Sequence, residues 1–380
     1  MLVEKPAVLF RARKSRISVY MLPLMTLLAL AMVGYTLYGI GNGDHTPEPA
    51  YGKGYEDPPQ LDAYLRFIPP DVVSTWKARE FLVVMGIPSV DVDGRQRRRD
   101  LQRETCWQYN GVARQRNNFT GELLPLYLLA PHQSNGYEIS ESLWKEATKS
   151  HDVVILPTSD VRPSTRRRIG EGGSWGRAAE VVMSRKTYLW LQFALHMFPN
   201  ASYIVKGDDD MFMHVPQYLA DLRVMPRRGL YMGRMYRASL LWTTDDIVFA
   251  AGYCTTLSKD AAQAVVSYKP LAALLRKPYS IWHMMQYSSM SVMHEDIMVG
   301  RVLREKIKLD NLVIVNVKEC RFHDVPNNLE RRITNNSVVL HHIGELHYFK
   351  LLRHFPTNAT PPAPSPIRWV NGYTAILPCP

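Results

Sequence analysis

Residues 203–214 read Tyr203-Ile204-Val205-Lys206-Gly207-Asp208-Asp209-Asp210-Met211-Phe212-Met213-His214. The apolar run at the start is a buried strand by its composition, and it delivers the chain into three consecutive carboxylates before apolar residues resume. Three adjacent aspartates repel one another. A hard divalent cation relieves that repulsion because it takes oxygen ligands. The plain alternative is a solvated turn that caps a helix, a position that Asp favours. Open α/β sheets bind nucleotides at the carboxyl ends of their strands, so the stretch points to a metal and nucleotide site.

Strand-like and helical runs alternate on either side of it. Residues 81–87 form a strand, 96–109 a basic helix and 152–156 a second strand. The apolar density of 184–198 gives a buried helix, ended by Phe198-Pro199-Asn200. Further on, 230–236 and 247–253 read as strands and 259–268 as a helix. Glu295 and Asp296 open another helix, where carboxylates suit the positive end of the macrodipole. Two short strands follow at 313–317 and 337–340, the second running into His341 and His342. This alternation predicts an α/β fold.

At 380 residues and 46% hydrophobic content, disorder is excluded for most of the chain. Five basic residues against Glu4 give residues 1–16 a net +4 of the total +11. The arginine clusters at 97–99, 166–168, 227–228 and 331–332 come with no nucleic-acid motif, so nucleic acid is not an expected partner. Residues 17–40 carry no charge, and 24 residues exceed the roughly 20 that a spanning helix needs. That length favours a signal anchor over a cleaved signal peptide. Basic residues before it and Asp44, Glu48, Glu56 and Asp57 after it put 1–16 in the cytosol and the rest in the lumen. The Pro- and Gly-rich stretch 41–75 reads as a stem, 76–355 as the catalytic domain, and 356–380, with seven prolines, as an extended tail. Sequons begin at Asn118, Asn200, Asn335 and Asn358. An oxidising lumen would permit two disulfides among Cys106, Cys254, Cys320 and Cys379, in any of three pairings.

Six landmarks occur in order: residues 81–87, Arg103-Glu104-Thr105-Cys106-Trp107, Ser184-Arg185-Lys186-Thr187, Lys206 to Phe212, Gly252 to Ser258, and Glu295-Asp296-Ile297-Met298-Val299-Gly300. Together, over roughly residues 78–345, they resemble the β-1,3-glycosyltransferase superfamily, which includes β-1,3-galactosyl- and β-1,3-N-acetylglucosaminyltransferases and the fringe enzymes. The cysteine before Trp107 is similar to the kinetoplastid branch. The resemblance implies a GT-A-like fold, a mostly parallel twisted sheet flanked by helices, and a type II membrane protein of the Golgi. Two departures from the family pattern, Gly207 in the acidic motif and Gln102 before Arg103, are expected to touch none of the presumed ligands.

The implied reaction moves galactose or N-acetylglucosamine from a UDP-sugar to a glycan hydroxyl on glycoprotein or glycolipid, with inversion. A divalent ion such as Mn²⁺ acts as Lewis acid toward the leaving diphosphate, and Asp208 and Asp210 are its expected ligands. The resemblance adds His341, with His342 competing. It also makes Asp296 the general base for the acceptor hydroxyl, with Glu295 the second choice or an acceptor-orienting group. Arg103 and Thr105 are expected to contact the nucleotide, the guanidinium pairing with two diphosphate oxygens. Lys206 and Asp209 join them, Lys206 either reaching the diphosphate or offsetting the aspartates. Each has a plainer reading: a strand-end histidine, a dipole-stabilising carboxylate, a surface arginine. Trp175 and Trp242 are candidates for sugar stacking, and residues 162–177 for a loop at the site. A lectin-like or scaffold protein that lost turnover is the rival reading, and a metal phosphohydrolase is disfavoured for lack of a nucleophile.

Overall fold

The computed structural model describes residues 26, 27, 30, 61–167, 173–239, 246–324, 333–359 and 362–379. The chain divides into two units, Met1–Glu48 and Pro49–Pro380. The expected span at 17–40 lies outside the described residues except for Thr26, Leu27 and Leu30, as do residues 1–16 and 41–60 of the expected tail and stem. Among the described residues no helix is long and apolar enough to cross a membrane.

In the second unit, three parallel strands form the heart of the sheet: β1 (Val83–Pro88), β2 (Leu123–Leu129) and, further along the chain, β4 (Tyr203–Gly207). Every residue in them is buried, because helices cover both faces of a parallel sheet and leave no solvated side. Beyond β2 lies β3 (Val153–Ile155), also parallel. On the other side β9 (Cys254–Ser258) runs antiparallel to both β4 and β6 (Leu230–Gly233). Then come β10 (Val313–Val317), β14 (Thr374–Leu377) and β13 (Arg368–Asn371). The order across the nine strands is β13-β14-β10-β6-β9-β4-β1-β2-β3. A smaller sheet holds β11 (Phe322–Asp324), β12 (Val339–His341) and β5 (Met211–Met213), and β7 (Met235–Ser239) pairs with β8 (Asp246–Ala250).

The expected α/β alternation is therefore present as a mixed, mostly parallel sheet between helices. The helix Arg177–Met197 is the largest cover, with fifteen buried residues. It beds into β1 at Gly86, where a Cβ would meet the Trp190 ring at 2.4 Å. Removing a buried ring of that kind costs about 3–5 kcal/mol.

Two boundaries differ from the sequence reading. The stem was expected to reach residue 75, yet Tyr64 stacks on Phe193 at 5.0 Å and the helix Pro70–Ala78 buries Val72 and Trp76. The proline-rich tail supplies β13 and β14, with Ala375 and Leu377 buried against β10 and Cys379 bonded to Cys320. One disulfide forms where two were allowed. Cys106 and Cys254 are buried free thiols, which burial pushes up to about 12.

Candidate active site

The acidic motif sits where the chain changes sheets. β4 ends in the middle of the large sheet, Asp208 to Asp210 make the corner, and β5 joins the small sheet. Register then brings distant residues to that corner. β12 runs antiparallel to β5 with His341 opposite Met211, and β11 runs parallel to β12 with Asp324 beside His341. Asp210 precedes Met211, so Asp210, His341 and Asp324 lie side by side.

His341 Nε2 is 3.2 Å from Asp210 Oδ1 and 3.4 Å from Asp208 Oδ2, while its Nδ1 is 3.2 Å from Asp324 Oδ1. His342 Nδ1 also reaches Asp324, at 2.6 Å. With an Asp324 carboxylate behind Nδ1, the ring directs Nε2 at two carboxylates, an arrangement satisfied only by a proton or a cation between them. Burial opposes the imidazolium, but Asp210, Asp208 and Asp324 outweigh it and hold His341 well above its ordinary value. Burial likewise opposes the Asp208 carboxylate, and Lys206 followed by His341 keeps it far below the usual range. Asp210, His341 and His342 offer ligand atoms within 4.8 Å of one another. Mixed carboxylate and imidazole donors, one ring braced from behind, fit a divalent cation.

A second cluster faces this one. Lys206 Nζ donates to Asp208 Oδ1 at 2.5 Å and to Glu295 Oε1 at 3.0 Å. Its ammonium thus ties the acidic corner to the first turn of the helix Glu295–Arg301. Gly252 permits this: a Cβ there would stand 2.6 Å from Glu295 Oε1 and 3.2 Å from Lys206 Nζ. Asp296, next in the same turn, accepts from the Ile297 N–H at 2.8 Å. Burial first, and the Glu295 charge second, push its carboxyl up to about 7. Lys206, Asp208, Asp209, Asp210, His341 and Asp296 all line one cleft of about 390 Å³.

The remaining expected residues separate into those that hold the corner and those at the other end of the sheet. Asp209 faces inward, accepting from Ser89 Oγ at 2.7 Å and from Arg95 Nη1, which pins the corner to the end of β1. Thr105 is buried and donates to the Leu101 carbonyl. Arg103 pairs with Asp152 at 2.8 Å and with Glu146 at 2.7 Å, at the amino-terminal end of β3. The physical reason is helix direction. The helix Asp93–Glu104 starts beside the corner, and Arg103 lies eight residues after Arg95, roughly 12 Å further along the axis.

Arg95 and Arg98, one turn apart, are the cations the sequence reading missed. Arg98 Nη1 is 3.9 Å from Asp210 Oδ2, and Arg95 lines the cleft with its guanidinium 5.7 Å from the Trp175 ring. An i, i+3 pair in the helix's first two turns was the available signal. Trp175 also lines the cleft; Trp242 lies outside the described residues, as do parts of the 162–177 loop.

Gln102 corrects one expectation. Far from leaving the presumed ligands untouched, its Nε2 donates to the carbonyls of Asp208 at 3.0 Å and Met211 at 2.9 Å. Its own oxygen accepts from the Tyr127 hydroxyl at 3.1 Å, and that hydroxyl accepts from Trp107 Nε1 at 3.0 Å. Gln102 thus clamps the backbone of the acidic corner. The Ser184–Thr187 turn braces the site from behind: Lys186 Nζ donates to the Ser89 carbonyl at 2.6 Å and to Asp160 at 2.8 Å, and Ser184 donates to the Val292 carbonyl at 2.6 Å.

No family model matches the chain, and no curated protein matches it. Among solved structures, the chain is similar to a glycosyltransferase involved in the glycosylation of the major capsid of PBCV-1, at 10% identity, covering 70% of this chain and 98% of that one. The TM-score is 0.33, too loose a likeness to carry an argument.

Proposed function

We propose that the chain is a divalent-metal-dependent, inverting glycosyltransferase of GT-A-like fold. The observation that carries this reading is the joining of two charge clusters in one cleft, Asp208, Asp210 and His341 on one side and Asp296 on the other, bridged by Lys206 and Glu295. A cation held by Asp208, Asp210 and His341 would neutralise the diphosphate of a nucleotide sugar as it leaves. Arg95 and Arg98 flank that position and add charge for phosphate oxygens. Lys206 keeps Glu295 occupied, leaving the Asp296 carboxylate as the group that takes the proton of an acceptor hydroxyl. A pKa near 7 suits a general base at neutral pH.

The finer reading follows from the resemblance to the β-1,3-glycosyltransferases: a UDP-galactose or UDP-N-acetylglucosamine donor, Mn²⁺, a glycan acceptor and a β-1,3 linkage. Residues 17–40 would anchor the chain as a type II protein of the Golgi, its catalytic domain lumenal. All four sequon asparagines are exposed, which suits that compartment. The test is UDP release from a panel of UDP-sugars, with and without manganese and sugar acceptors. A transferase needs metal and acceptor. Release without acceptor would make the protein a hydrolase, and no release with any donor would favour the lectin-like alternative.

A further inference from the structure

Another cavity lies at the amino-terminal ends of the central strands, remote from the acidic corner. It has a volume of about 200 Å³, smaller than the roughly 300 Å³ at which sites for drug-sized ligands begin. Trp107, Phe119, Leu124 and Pro125 give it an apolar lining, while Arg103, Arg114, Arg116 and Lys149 supply four cations. Asp152 is the one carboxylate in that lining, and it is consumed: Arg103 Nε and Nη2 each donate to one of its oxygens at 2.8 Å.

The other cations have no such partner in the lining. Arg114 is held by a bond from Nη1 to Gln108 Oε1 at 2.9 Å, and its Nε is buried without a hydrogen-bond partner. Burial first, and the neighbouring Arg116 charge second, push Arg114 below its ordinary value. A buried guanidinium N–H without an acceptor costs about 1–3 kcal/mol or more. A fold that places such a donor beside two further cations, over apolar surface, has built the complement of an oxyanion.

We propose that this cavity binds a phosphate, sulfate or carboxylate group, free or carried on a single sugar ring, through Arg114, Arg116 and Lys149. The size admits little more, and the apolar lining suits the hydrophobic face of a sugar. This site is independent of the function proposed above: it shares no lining residue with the acidic cleft.

The test is calorimetric titration of the full-length protein with inorganic phosphate and, separately, with a hexose 6-phosphate, at constant ionic strength because exposed charges are screened. Saturable binding is expected, at least tenfold weaker in Arg114→Gln/Arg116→Gln and weakened in Lys149→Gln, yet unchanged in Lys269→Gln, an exposed cation that lines neither cavity. Tighter binding of the hexose phosphate assigns a sugar-borne anion; equal binding assigns the free ion. Absence of saturable binding to both probes overturns the proposal. So does binding that Lys269→Gln abolishes and Arg114→Gln/Arg116→Gln preserves. Because Lys149 and Arg116 are exposed, loss of folding in the double variant would not remove the test, and Lys149→Gln alone then decides it.

Discussion

The two ends of the central sheet carry opposite charge imbalances. At the carboxyl end, Asp208, Asp209, Asp210, Glu295 and Asp296 gather around Lys206, Arg95 and Arg98, and Asp324 faces His341 and His342. At the amino end, Arg103 is matched by Glu146 and Asp152, and the surplus left by Arg114, Arg116 and Lys149 is positive. Both ends are full of ion pairs, so a salt bridge as such marks neither. The informative quantity is the unpaired remainder, since clustered like charge without a partner persists where a ligand offsets it. Negative remainder calls for a cation, positive remainder for an anion.

The largest effect that would break this comparison is at the metal corner. Chelation is expected to abolish transfer, manganese to restore it, and Asp210→Asn to lose metal-dependent UDP binding while remaining folded by circular dichroism. Undiminished turnover in Asp210→Asn would take the corner out of the site.

Asp296→Asn comes next. Turnover should fall by about 10²–10⁴-fold with UDP binding intact. Wild-type rates at saturating substrates would move the base to Glu295. The parent's rate should rise with pH through about 7 as the carboxyl ionises, with a lower midpoint once a cation offsets the Asp208 charge. Stability runs the other way. A carboxyl raised in the folded state binds a proton that the unfolded chain releases, so its contribution is intact below about pH 4 and lost as pH rises through 7. Melting curves should therefore show Asp296→Asn gaining on the parent at pH 8 and not at pH 4. An equal offset at both would sink the pKa assignment.

Smaller effects sharpen the boundary between the ends. Gln102→Ile leaves two buried carbonyls without a donor, about 1–3 kcal/mol of stability, and should raise the manganese concentration needed for half activity. A variant with unchanged metal dependence would make Gln102 a packing residue only. The smallest effect on catalysis belongs to Arg103→Gln. Breaking its pairs with Glu146 and Asp152 should lower the melting point, with a cost toward the lower end of roughly 3–5 kcal/mol, and leave the donor KM unchanged. A donor KM raised tenfold would return Arg103 to the nucleotide site.

Much of the architecture was legible because the signals are local. β1, β4, the long buried helix and the helix opened by Glu295 follow from apolar runs and end signals. β2 was missed although Leu123 to Leu129 is apolar throughout, since Pro125 inside it argues against a central strand. The final hairpin was hidden by its prolines, yet its two-residue loop, Gly372-Tyr373 between β13 and β14, opens on the glycine that tight hairpin turns favour.

By itself the sequence determined that three carboxylates follow a buried strand, that an acidic helix start lies some ninety residues on, and that a charge-free run precedes it all, because strand burial, dipole preference and hydropathy depend on neighbours in the chain. Only the tertiary structure decided which charges meet. Sheet register set His341 and Asp324 beside Asp210, Gly252 let Lys206 reach Glu295, and the direction of one helix carried Arg95 to the acidic corner and Arg103 away from it. Coulomb interactions between exposed charges are screened beyond about 8–10 Å at physiological salt, and distance in space is what folding, not sequence spacing, assigns.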